Sequence, residues 1–247
     1  MIFGLILSER ILAITISEVW PIVFGIFIAT RLLKRGKNRS TISLSIYFLG
    51  FTSVFLIGFV SLFLVGTPYS KLLYSISLYL FIFIQIMPIL SSWIMTSLTQ
   101  KIKSLKIILL LLVYGALATY VFWIGFPLHG INYGQNTGWR PEYSALFFWV
   151  TFCYITIALI IPEMILSKKL LQTFNGFEIG NRVKLFIVGV FLLYIDMYFV
   201  LVYNTWITNL TYRSFHLIIS IPLTTIGAFL IYLGFGRKLG PKRENFR

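Results

Sequence analysis

Residues 107–126 read IILLLLVYGALATYVFWIGF, an apolar stretch without a single charge. A hydrocarbon core of about 30 Å takes roughly 20 helical residues to cross, so this segment is read as a membrane-spanning helix. Apolar runs of similar length recur on both sides of it, separated by basic or turn-rich breaks. Together they predict seven spans, at residues 11–33, 41–65, 72–98, 107–126, 146–166, 185–206 and 215–236. The composition agrees. Of 247 residues, 58% are hydrophobic and 11% charged, against roughly 45–50% and about 25% in an ordinary soluble domain. Seven spans take up roughly 147 residues, and the remainder, about 100 residues of loops and ends, leaves no room for a soluble catalytic or nucleic-acid-binding domain of ordinary size. The expectation is an all-α polytopic membrane protein: one seven-transmembrane helix bundle over residues 1–247, ending in a short basic tail at 237–247 and lodged in the cell membrane.

Loops rich in Lys and Arg stay in the cytoplasm, and here the bias is strong. Arg31, Lys34, Arg35, Lys37 and Arg39 join spans 1 and 2, and Lys101, Lys103 and Lys106 join spans 3 and 4. Lys168, Lys169, Arg182 and Lys184 join spans 5 and 6, and the tail carries Arg237, Lys238, Lys242, Arg243 and Arg247. That side holds 17 basic residues, and the other holds 4: Arg10, Lys71, Arg140 and Arg213. The reading is N-terminus outside, C-terminus inside, with an odd number of spans. The net charge of +14 is then mainly a topology signal with attraction to anionic lipid headgroups, and no nucleic-acid partner is expected. The opening MIFGLILSER has no basic region ahead of its apolar run, so the first span is expected to stay in the mature protein. No internal repeat stands out, and an odd span count disfavours the paired halves of many transporters.

Ionisable residues within a bilayer are functional candidates by default. Glu18 lies in the outer third of span 1, three residues before Pro21, and Asp196 near the middle of span 6. Tyr203 follows Asp196 seven residues later on the same helical face. Glu163 comes after Pro162 near the inner end of span 5, where a side chain can reach the headgroup zone. No Lys or Arg lies deep in a span to pair with Glu18 or Asp196. Each must be protonated, hydrogen-bonded to polar neighbours, or occupied by a cation or amine-bearing ligand. Gln85, three residues before Pro88 in span 3, is the natural polar partner. One reading is a ligand pocket lined by Glu18, Gln85, Asp196, Tyr203 and Tyr120; the other is a set of acids hydrogen-bonded between helices. The outer segment LHGINYGQNTGWRPEYSA (128–145) is either a lid over such a pocket or an interfacial aromatic turn.

Several chemistries are set aside. A retinal Schiff base needs a lysine within the last span, and Lys238 comes after it. Buried metal or haem ligation needs His or Cys inside the bundle, whereas His129 and His216 are placed at outer loop ends and Cys153 has no companion. No protease, P-loop or dinucleotide motif is present. Neither a cofactor, a metal nor a catalytic set is expected.

Gln85 and Pro88 followed by Trp93, the Gly138, Trp139, Pro141, Tyr143 pattern, and the run FNGFEIGNRVKLFIVGVFLL (174–193) together resemble the seven-transmembrane sensor region at the N-terminus of many prokaryotic membrane histidine kinases. The basic loop after span 1 is similar too. In those kinases the last span leads into dimerisation and ATP-binding domains, whereas here RKLGPKRENFR (237–247) follows. The resemblance implies a stand-alone sensor or receptor-like module, without kinase activity, that signals through a cytoplasmic or membrane partner docked on the basic inner face. The alternative is a small-molecule or ion transporter, or a non-catalytic subunit of a membrane complex. A sensor predicts a closed pocket in the outer half, and a transporter a polar path reaching both faces.

Overall fold

The computed structural model describes residues 19–34, 38–97, 104–174 and 178–236; Glu18 lies outside them. Of the described residues, 86% are helical. Six helices among them are long and apolar enough to cross a membrane, so the chain is an all-α, multi-pass membrane protein.

Residues 19–34 form α1. Asn38 then caps α2 (Arg39–Phe63) by accepting from the Thr41 backbone N–H at 2.8 Å, satisfying one of the donors every helix start leaves open. Pro68 begins α3 (Pro68–Ile84), where its missing N–H costs nothing. The chain breaks at Gln85 and resumes as α4 (Ile86–Thr96), so the third span is two helices in line. The next helix, α5 (Ser104–Gly125), ends in a short antiparallel hairpin, β1 (Ile131–Asn132) and β2 (Glu142–Tyr143), with Asn132 opposite Glu142. Ser144 caps α6 (Ala145–Cys153), which opens into a π-helical stretch at Tyr154–Ile160 and continues as α7 (Ile161–Thr173). Two helices follow: α8 (Glu178–Thr205), and α9 (Leu210–Ile231), which carries Pro222 and ends in a second π-helical turn at Tyr232–Gly236.

Three of the helical segments run past the apolar stretches that mark them, each at one end. The expected spans 146–166, 185–206 and 215–236 sit within the helical ranges Ala145–Thr173, Glu178–Thr205 and Leu210–Gly236, apart from a residue at one boundary. Backbone hydrogen bonding does not stop where the hydrocarbon does, and Lys168, Lys169, Arg182 and Lys184 extend these helices into the polar zone, where long basic side chains reach water.

Packing is centred on α8. Half of its apolar window is buried, against 22% for α5 and 18% for α9, and it touches α6, α7, α9 and β2. Its tightest neighbour is α9. A Cβ added at Gly189 would lie 2.5 Å from the Gly227 carbonyl oxygen, and one at Gly234 would lie 2.6 Å from the Arg182 carbonyl oxygen. Small residues let membrane helices approach backbone to backbone, where dispersion and not water exclusion holds them. The outward faces, such as Leu105, Leu109 and Leu112 on α5, are exposed and apolar, as lipid contact requires. Arg31, Lys34, Arg39, Lys106, Lys168, Lys169, Arg182 and Lys184 gather at one end of the bundle. Lys71, Arg140 and Arg213 fall at the other, the hairpin end.

Candidate functional site

Two proline-containing breaks determine the polar interior. Pro88 has no N–H to offer Ile84, and Pro162 none to offer Ala158, so each leaves a carbonyl short of a helical donor in a medium without water. Tyrosines crowd around these breaks. Tyr114 of α5 donates to the Ala158 carbonyl, Tyr154 to the Ile82 carbonyl at 3.1 Å, and Tyr194 of α8 to the Gln85 carbonyl at 3.4 Å. Ser43 of α2 donates to the Met87 carbonyl at 3.0 Å. Gln85 is 1% exposed, and its side-chain oxygen has no hydrogen-bond partner among the described residues.

Glu163 belongs to this interior. The reading that its side chain can reach the headgroup zone is corrected: it is 0% exposed, on the face of α7 that packs against α4. One carboxyl oxygen accepts from Ser92 at 2.6 Å and from Ser167 at 3.5 Å; the other has no partner among the described residues. The helix is still buried at this depth because α4 lies against it. The signal in the sequence was Pro162 itself, since a break needs polar company: Tyr114 supplies it at the Ala158 carbonyl, and Ser92 and Ser167 bind the carboxyl beside the break.

Asp196 and Tyr203 lie on the seam between α8 and α9. Asp196 accepts from Ser220 at 2.8 Å. Two turns nearer the hairpin, the Arg213 guanidinium sits 4.5 Å from the Tyr203 ring centre and donates to the Tyr203 hydroxyl at 3.2 Å and to the Ile207 carbonyl at 3.3 Å. His216 fills the space between, its ring centre 4.7 Å from that of Tyr203. It is a buried residue of α9 and not part of a loop end, because α9 begins at Leu210, capped by Asn209. Among the described residues no hydrogen bond joins Gln85 to Asp196, or either to Tyr203; Asp196 and Tyr203 share the α8–α9 seam, whereas Gln85 lies at the break between α3 and α4. Tyr120 is 59% exposed and faces away from the interior.

The hairpin end holds a third arrangement. Tyr133 stacks on Tyr74 at 4.6 Å, and its hydroxyl shares a hydrogen bond with Ser70 at 3.1 Å. Tyr74 and Tyr143 share another at 3.2 Å. Burial pushes the Tyr143 hydroxyl above its ordinary value, while hydrogen bonds with Tyr74 and Asn204 oppose the shift. These contacts clamp the segment 131–143 onto α3 and α8, as a roof and not a dangling loop. Beside it lies a cleft of about 230 Å³, lined by His129, Gly130, Asn132, Glu142, Tyr143, Ser144, Thr205 and Ile207. Its far wall is the end of α8. Sequence reasoning named the roof and missed the cleft, because the residues lining it come from two distant stretches.

A scan of family models, a search of curated proteins and a search of solved structures each found no match to this chain.

Proposed function

We propose that this protein is an integral-membrane sensor. In this reading seven spans cross the cell membrane with the N-terminus outside, a small polar ligand binds at the external hairpin end, and a partner protein docks on the basic cytoplasmic face. The observation that carries the reading is that one helix borders both places. Thr205, at the end of α8, lines the cleft, and Arg182 and Lys184 lie near its start. Its 28 residues extend about 42 Å, so a ligand that shifts the cleft wall acts on the inner end of the same rigid rod. The resemblance to the sensor region of membrane histidine kinases supports the same assignment, as does the 17 to 4 basic bias.

The test has two parts. Reporters fused after Lys101 and at Arg247 should both read cytoplasmic, and an external reading at either refutes the topology. Crosslinking capture from native membranes should recover a partner that is lost when Lys34, Lys168 and Lys169, all exposed, are changed to Glu. Equal recovery by a correctly inserted charge-reversed chain refutes docking at this face.

One observation favours transport as a second reading. Discontinuous helices meeting inside a bundle are where transporters bind their solutes, and the break at Gln85 and the π-helical stretch at Tyr154–Ile160 meet through Tyr154. Solute uptake by the purified chain in vesicles, abolished by Glu163→Gln, would establish it.

A further inference from the structure

We propose that the cleft at the hairpin end is a binding site for a small organic ammonium compound, with Glu142 as the counter-charge; the proposal rests on the sensor reading and gives its ligand a chemical class. The hairpin register sets Asn132 directly opposite Glu142, so both side chains project from the same face of the two-stranded ribbon, and both residues line the cleft. Most polar groups around them are committed. The Thr205 hydroxyl donates to the Leu201 carbonyl at 2.8 Å, the Ser144 hydroxyl caps α6, and Tyr143 is held by Tyr74 and Asn204. The side chains of Glu142, Asn132 and His129 have no hydrogen-bond or ion-pair partner among the described residues.

Charge selects the ligand class. Glu142 is the one formally charged side chain lining the cleft. At this end Arg213 turns its guanidinium to the Tyr203 ring and to the Ile207 carbonyl, and among the described residues no ion pair joins Glu142 to Arg213 or to Arg140, two residues before it. A carboxylate at a partly enclosed wall attracts a cation and repels an anion, and the amide of Asn132 offers an acceptor for a second ammonium N–H. Size narrows the class further. At about 30 Å³ per water, 230 Å³ has room for roughly eight waters, which sets an upper limit of about eight to ten non-hydrogen atoms on the compound.

The roof is built for a fixed shape. Gly130 can be nothing larger, because a Cβ there would lie 2.4 Å from the Ile124 carbonyl oxygen. The preceding residue, His129, adopts a left-handed backbone with φ of 55°, a conformation uncommon outside glycine. Together with the Ser144 N–H to Gly130 carbonyl bond at 2.8 Å, this holds the two strands of the cleft wall in one register, so that a ligand meets a preformed site.

Three probes of one skeleton test the proposal on the full chain in lipid nanodiscs: isobutylamine, isobutyramide and isobutyrate, followed by saturation-transfer NMR. Isobutylamine should bind at least ten-fold more tightly than either of the others. Glu142→Gln should abolish that preference, Glu142→Asp should retain part of it, and Asn132→Tyr should block the cleft to all three. Equal binding of the probes, no binding of isobutylamine to the folded wild-type chain, or a preference unchanged in Glu142→Gln each overturns the proposal. The readout needs no partner protein. An amine that binds while charge reversal at the basic end leaves partner capture unchanged refutes the sensor reading alone, and a lost amine preference with intact partner dependence refutes the ligand class alone.

Discussion

Replacing Gly189 by Ala adds one methyl group where α8 and α9 meet backbone to backbone. That methyl would lie 2.5 Å from the Gly227 carbonyl oxygen and 2.8 Å from both the Ile231 backbone nitrogen and its Cγ1. Two of these atoms are backbone and cannot rotate aside, so α8 and α9 must separate. Overpacking of this kind costs about 1–3 kcal/mol. The same substitution gains up to about 1 kcal/mol from alanine's better helix propensity. The contact wins, and the net expectation is a destabilisation of about 1–2 kcal/mol, roughly a five- to thirty-fold change in the folded to unfolded ratio. Gly115→Ala is the matched control. Its Cβ would meet only Phe83 Cε2 at 3.5 Å, an ordinary contact, so propensity decides and the variant should be as stable as wild type or up to about 1 kcal/mol more so. Reversible unfolding in mixed micelles, followed by helical circular dichroism, measures both. A Gly189→Ala chain as stable as Gly115→Ala would refute the close α8–α9 crossing.

Tyr114→Phe removes the hydroxyl that serves the Ala158 carbonyl and should destabilise the chain by about 0.6–1.7 kcal/mol; Pro162→Ala in the same background should recover part of the loss in the same unfolding assay. A double-mutant cycle on Ser92→Ala and Glu163→Leu should show a coupling of about 0.5–2 kcal/mol, reflecting the 2.6 Å hydrogen bond between them, and additive effects would refute that contact. Arg213→Lys keeps the charge but loses the planar fork over Tyr203 and should cost about 0.5–1 kcal/mol; a Tm equal to wild type would count against that contact.

The helical, membrane-spanning character of this chain was open to reading because hydrocarbon imposes a strict rule: every backbone group must be satisfied by the protein, in a helix or a closed barrel, and a run such as 107–126 is about twice the length of a barrel strand and fits a helix. Helix ends were less legible, since hydropathy marks the bilayer and not the last hydrogen bond; Lys168 and Lys169 continue α7 without any apolar signal. The candidate residues divided along a similar line. That Asp196 and Tyr203 share one face of α8 follows from helical period, and both do face α9. Which neighbour each meets depends on how the helices are arranged around α8, and no periodicity encodes that. Glu163 was misplaced for this reason: near the end of an apolar run a side chain can leave the membrane, unless another helix lies in its way, as α4 does. The cleft was least legible of all, because it joins residues 129–144 to residues 205–207.

The interruptions in two spans show how a bundle with so few charges keeps its register. Straight apolar helices slide against one another at little cost, since lipid and leucine are nearly equivalent neighbours. A broken helix presents carbonyls that must be met at one height. Here the break at Gln85 is met by Tyr194 of α8 and Tyr154 of the π-helical stretch, and that stretch is met in turn by Tyr114 of α5. These three hydroxyls join α3, α5, α8 and the α6–α7 span through bonds that have no substitute in hydrocarbon. Sliding any one helix by a turn, about 5.4 Å, would strand its carbonyl or its hydroxyl. The breaks therefore work as locks, and the position of α8 between the cleft and the basic end is fixed by the carbonyl of Gln85 at its middle as well as by the glycine contact with α9.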